Sequence, residues 1–475
     1  MAAIETRTAP TAARHAAGRP VRDLRRLWRT ALAVLAPLPV AALAIETLVV
    51  PFPVRGDIAD AMTGIAAHPG RAQAALWLGL VYSLLVLPAT MAVAWTARRG
   101  SPRLTLAGGV LTLLAFAATL PDSDLAEVVS VQKGIAPAAL QAIDDAVWAH
   151  PAVGLQLGIF LLGQAVGLTL LGIAVWRARV VPAWAGIVLA LSGPAHVLAP
   201  GGNAGAAVSW AMTAIGYAAA SVALLRTRDA DFDLPPVGPA APAAPAAPTG
   251  RPDPRTAWRW LLAVAAAPIA VYVAVFRYFI PYQDDDSPRL VFDTLVASPT
   301  YQSLVIWLGA FVVLTGFAGV LAVAWHTRRR TPVLTTIAMT LAVPGYLALT
   351  AGGPYGEVLT HAVATVPGLD REAAFQIGYG MESAPQSVLL ITIFVLGHLV
   401  GTTLLGIALA RARVAPAWLA VGLAVSQPIH LASVMTGVRP VDLVGWGLTA
   451  VGFGWAGWRL ARMRNEQFDL PPVVH

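Results

Sequence analysis

Twelve stretches of about twenty apolar residues divide this chain, and no other feature restricts its fold so strongly. They run near 28–50, 74–97, 104–121, 152–176, 183–200 and 206–225, then near 258–281, 302–326, 333–351, 386–410, 417–436 and 441–459. Twenty residues of α-helix rise about 30 Å, the thickness of a bilayer's hydrocarbon core. In lipid, a backbone satisfies its own polar groups only as helix or as closed barrel, and barrel strands alternate in polarity. These runs do not alternate. The expectation is an all-α, polytopic integral membrane protein with about twelve transmembrane helices. Composition agrees, since only 12% of residues are charged, about half the share of a soluble domain.

The two sets of six match each other. WLGLVYSLL at 77–85 faces WLGAFVVLT at 307–315, and AVAWTARRGSP at 92–102 faces AVAWHTRRRTP at 322–332. LGIAVWRARVVPAW at 171–184 faces LGIALARARVAPAW at 405–418, and FDLPPV recurs at 232–237 and 468–473. A whole six-helix unit has been copied, its proline-stopped exit included. Six is even, so the two copies share one orientation, as two tandem parallel repeats. The organisation expected is a basic arm over 1–26, a first membrane repeat over 27–236, a linker over 237–255 and a second repeat over 256–475. The linker, rich in alanine and proline, is a semi-rigid spacer reaching roughly 60 Å, enough to set two bundles side by side.

Charge then gives a sidedness. The arm, the linker, the tail and the short 2–3 and 4–5 connections hold 25 of the 32 basic residues. The positive-inside rule puts both termini in the cytoplasm of a multi-pass cell-membrane protein. The basic balance is thereby a topology signal, and no nucleic-acid partner is expected. LRRLWRTALAVLAPLPVAALA reads as a twin-arginine signal sequence, but WRTALAV at 28–34 has an internal counterpart, WRWLLAV at 258–264. It is read as a retained first helix. The absence of cysteine excludes thiolate metal sites and thiol nucleophiles, and the single lysine, Lys133 in SVQKGIA, excludes a Walker-type ATP site.

Two parallel six-helix halves with a cytoplasmic linker resemble the major facilitator superfamily in outline, which implies a transporter with its site between the halves. The 2–3 connection departs from that family: TARRGSPRLTL lacks the acid found there. Polar residues inside the bilayer are costly and mark candidate sites. Gln164 and His398 occupy matching positions in GxxxG contexts (Gly163/Gly167 and Gly397/Gly401), and His196 and His430 match two residues after Pro194 and Pro428. The structural reading is hydrogen bonding across tight helix contacts. The functional reading is ligand or proton handling, with His398 and His430 at similar depth. Glu46 and Arg277 stand near the outer ends of helices 1 and 7, as lipid-facing charges or as an ion pair gating the outer mouth. Glu357, His361, Asp370, Glu372 and Glu382 share one outer loop and are read as a solvated loop helix. The leading expectation is translocation of a small solute, with no catalytic residue, metal or cofactor. The alternatives are a haem-binding redox subunit using the histidines, or a non-catalytic scaffold or sensor.

Overall fold

In a computed structural model, residues 21–53, 56–118, 120, 122–198, 202–237, 253–351 and 354–473 are described. Most of the basic arm and of the Ala/Pro linker lies outside them. The described residues form helices and no strand. Nine segments are long and apolar enough to cross a membrane: Arg25–Val49, Pro69–Ala97, Pro151–Arg177, Asn203–Arg226, Pro254–Phe279, Pro299–Thr327, Pro332–Thr365, Pro385–Ala412 and Ala417–Thr436. The chain is a multi-pass membrane protein.

Nine is fewer than the twelve expected, and the difference has physical causes. The runs at 104–121 and 183–200 become Pro102–Ala117 and Ala183–Leu198, each of 16 residues. That is about 24 Å of helix, short of a bilayer core. The run at 441–459 lies within Arg439–Ala461, which has the length but is diluted by Asp442, glycines and tryptophans.

Prolines and glycines shape the spans. The first span breaks at Pro37, between Arg25–Leu35 and Leu38–Val49. The fifth breaks just before Pro268 in the same way, because proline offers no N–H to the preceding turn. The glycine pairs sit at close helix approaches. A Cβ on Gly167 would lie 2.6 Å from Thr112 N, and one on Gly401 2.6 Å from Ala342 N. Helix Pro151–Arg177 thus packs backbone to backbone on Pro102–Ala117, and Pro385–Ala412 packs likewise on Pro332–Ala351. Only glycine permits this.

Four apolar clusters result among the described residues, two of them large. The larger joins spanning helices of both halves, around Leu168, Leu171, Tyr217, Tyr346, Trp446 and Phe453. The smaller is a helical cap built from the segments expected to be loops. Ile58–Ala67, Ser123–Lys133 and Pro137–Trp148 from the first half meet Pro288–Val296, Tyr355–Thr365 and Arg371–Ser383 from the second. The solvated loop helix is corrected here. Val358 and Leu359 are buried on one helix, and Ala373, Ala374, Ile377 and Met381 on the next. Leu140, Ile143 and Val147 line the facing stripe, at the spacing of an amphipathic helix.

A crossed clasp closes the opposite end of the bundle. Arg98 donates to Asp469 at 2.8 Å, and Arg328 to Asp233 at 3.0 Å. Each arginine thus holds the aspartate of the FDLPPV segment from the other half. Trp95 Nε1 and Trp325 Nε1 meanwhile hold the Phe232 and Phe468 carbonyls, both at 2.9 Å. Val473 N donates to Arg99 O and Val237 N to Arg329 O. The two tryptophans meet edge to face, with centroids 5.7 Å apart. Burial would raise the Asp233 carboxyl, but the Arg328 guanidinium holds it below the usual carboxylate range. Helix Pro69–Ala97 runs from the cap to this clasp over 29 residues, or about 43 Å.

Candidate functional site

Between the cap and the clasp lies a cavity of about 950 Å³. Helices Leu38–Val49 and Pro69–Ala97 contribute Glu46, Gly79, Tyr82 and Ser83 to its wall. Tyr301, Gln302, Tyr355, Glu357 and Gln386 come from the second half, and Asp124 and Glu382 from the cap. Tyr82, Phe116 and Trp210 form an aromatic wall, with centroids 5.6–6.2 Å apart. Gln302 bonds the Leu295 carbonyl and receives the Thr360 hydroxyl at 2.7 Å, which fixes its orientation.

The lining is electrically one-sided. Among the described residues it holds six carboxylic side chains, Glu46, Asp122, Asp124, Asp286, Glu357 and Glu382, and no lysine, arginine or histidine. None of the six is in an ion pair among the described residues. Burial pushes the Asp124 carboxyl up to about 7, helped by the Asp122 and Asp144 charges, and also raises Glu382. One carboxylate oxygen of Glu46 is buried without a partner.

The residues singled out from sequence separate into two places. Of Gln164, His196, His398, His430, Glu46 and Arg277, only Glu46 lines the cavity, where it is joined by Glu357 and Glu382 from the segment read as a solvated loop helix. Arg277 does not pair with it. Its guanidinium is held by Asp442 at 2.8 Å and by Asp284 at 2.6 Å. The Glu46–Arg277 pair is therefore not made, because nearer carboxylates on the second half's own segments take the arginine.

His398 and His430 come together, their ring centroids 5.5 Å apart. His398 stacks between Phe394 at 4.1 Å and Trp446 at 5.6 Å, and donates from Nδ1 to its own helix at Phe394 O. His430 Nδ1 faces Asp442 Oδ1 at 2.5 Å, which continues the chain of polar contacts to Arg277. The matching pair in the first half is not linked in this way. His196 lies over Trp210, at 4.2 Å, and bonds Thr213, while Gln164 is buried with its amide nitrogen unpartnered. Trp210 links His196 to the cavity wall. Among the described residues, no three of the potential metal-binding side chains cluster around a common point.

Sequence reasoning missed most of the cavity. One signal was present: Tyr82 aligns with Val312, whereas Phe116 aligns with Tyr346 and Trp210 with Trp446, so the copies differ in aromatic character at Tyr82. No protein-family model matches this chain, and no curated protein or solved structure is detectably similar to it.

Proposed function

We propose that this protein is a transporter that moves a small solute across a cell membrane through the interface between two tandem six-helix units. The observation that carries this reading is the cavity. It is drawn from both halves, extends from beneath the cap to about the middle of helix Pro69–Ala97, and is separated from the other end of the bundle by the clasp. Leu87 marks its depth on helix Pro69–Ala97, and ten further residues, about 15 Å, separate it from Ala97. A volume of this size fits a drug-sized or metabolite-sized molecule. The copied units, parallel in orientation and with both termini in the cytoplasm, supply two bodies able to rock about that cavity.

The chain has no cysteine, so access can be tested without knowing the solute. Ser83→Cys, reconstituted in oriented proteoliposomes, should react with an impermeant thiol reagent added to either side. A scaffold or sensor would be labelled from one side only, and that result would remove the transporter reading.

A further inference from the structure

We infer that the cavity takes an organic cation, a monovalent ammonium- or phosphonium-type group on an apolar or aromatic body. The inference rests on the reading of this cavity as the solute site and adds the chemistry of the solute.

Three independent observations converge on it. The first is charge. Among the described residues, six acids line the wall and no basic side chain does. Of the arginines at this end, Arg277 is paired with Asp442 and Asp284, Arg289 with Glu372 and Asp293, and Arg371 with Asp293. Arg71 and Arg439 bond backbone carbonyls and do not line the cavity.

The second is the set of unsatisfied atoms. Tyr355 is 1% exposed and Gln386 5% exposed, and both line the cavity. The Tyr355 hydroxyl and Gln386 Oε1 have no partner, nor has Glu46 Oε2. The Gln386 amide nitrogen is already spent on Gln73. Carboxylate and amide oxygens accept only, and the phenol oxygen can accept. A buried acceptor left unpaired is costly, so the complementary ligand brings donors or positive charge.

The third is the aromatic wall. Tyr82, Phe116 and Trp210 stand beside the helix that carries Glu46, and cations over such rings are attracted by the ring quadrupole. Acceptors around the wall together with ring faces suit a charge set on an apolar body. A bare divalent ion is a poorer match, because the acids are spread around the wall rather than gathered at one point.

The test uses the full-length protein in lipid nanodiscs, with empty nanodiscs subtracted. Equilibrium dialysis compares tetraphenylphosphonium with its near-isosteric anion, tetraphenylborate. Saturable binding of the cation alone is expected. Glu46→Gln should weaken it at least tenfold and Trp210→Leu severalfold, while Glu466→Gln at the clasp end leaves it unchanged. If Glu46→Gln lowers the melting temperature by more than a few degrees, Glu382→Gln reads the same loss. Equal binding of the anion would overturn the inference, as would wild-type cation binding in both glutamate variants. The two proposals fail separately. Cation binding with one-sided labelling at Ser83→Cys keeps the site and ends the transport reading. Two-sided labelling without cation preference does the reverse.

Discussion

The polar side chains buried in the second half are unequal in consequence. Asp442 is 1% exposed and ties His430 to Arg277. Removing one partner of a buried ion pair leaves a charge uncompensated, at a cost of about 3–5 kcal/mol. Asp442→Ala should therefore lose about 3 kcal/mol of stability, somewhat cushioned by Asp284. His398 bonds only its own helix, and its match in the first half is Gln164. His398→Gln should fold with a loss within about 1.5 kcal/mol, the worth of its ring stacking. Reversible unfolding in bicelles would rank the two, and equal losses would contradict the network drawn here. Glu127 in the cap gives a pH signature. It is 8% exposed with one oxygen unpartnered, and burial, reinforced by Asp124, Asp144 and Asp122, raises its carboxyl to about 8. The folded state thus keeps a proton that the unfolded state gives up above about pH 4.5. The stabilisation is complete below that value and is lost as pH rises through about 8, at up to about 1.4 kcal/mol per pH unit. Hydrogen-exchange protection of Ser123–Lys133, corrected for intrinsic rates, should fall between pH 5 and 8. Glu127→Gln should flatten that slope.

Among the elements, the FDLPPV segments show how much the sequence disclosed. Their duplication was legible, but their role as helix exits was not met: the long helices end at Arg226 and Ala461, and FDLPPV begins on the last residue of a separate four-residue helix in each half. Their crossing was not legible, because a copied motif says nothing about which copy it grips. The clasp is testable by double-mutant cycles. Arg98→Ala with Asp469→Ala should show a coupling of about 1–3 kcal/mol, clearly larger than Arg98→Ala with Asp233→Ala. The reverse order would mean that each arginine holds its own half's segment. The cap was missed for a related reason. The 3–4 spacing of Leu140, Ile143 and Val147 announced an apolar face. Its partners lie more than two hundred residues away in the other half, and a single sequence does not pair such faces. The apolar runs of the spanning helices needed no distant partner to be seen, since lipid itself satisfies them. Where the count of twelve is not confirmed, at the 16-residue helices, length is the deciding quantity.

For the whole molecule, the arrangement is a cavity open to contributions from both halves, roofed by a cap and floored by a clasp. Glu46 was found because an acid in an apolar run stands out. Glu382, Gln386 and Tyr355 were not, because nothing in an outer loop or at a helix start foretells that it will face a cavity 300 residues from its neighbours in sequence. If the halves rock about the cavity, opening the clasp and opening the cap side must exclude each other. The most direct measurement is the rate at which a thiol reagent reaches Ser83→Cys from each face, with the clasp intact and with Arg98→Ala and Arg328→Ala combined. The account predicts faster labelling from the clasp face and slower labelling from the cap face when the clasp is broken. Rates that stay unchanged on both faces, or that rise together, would contradict it.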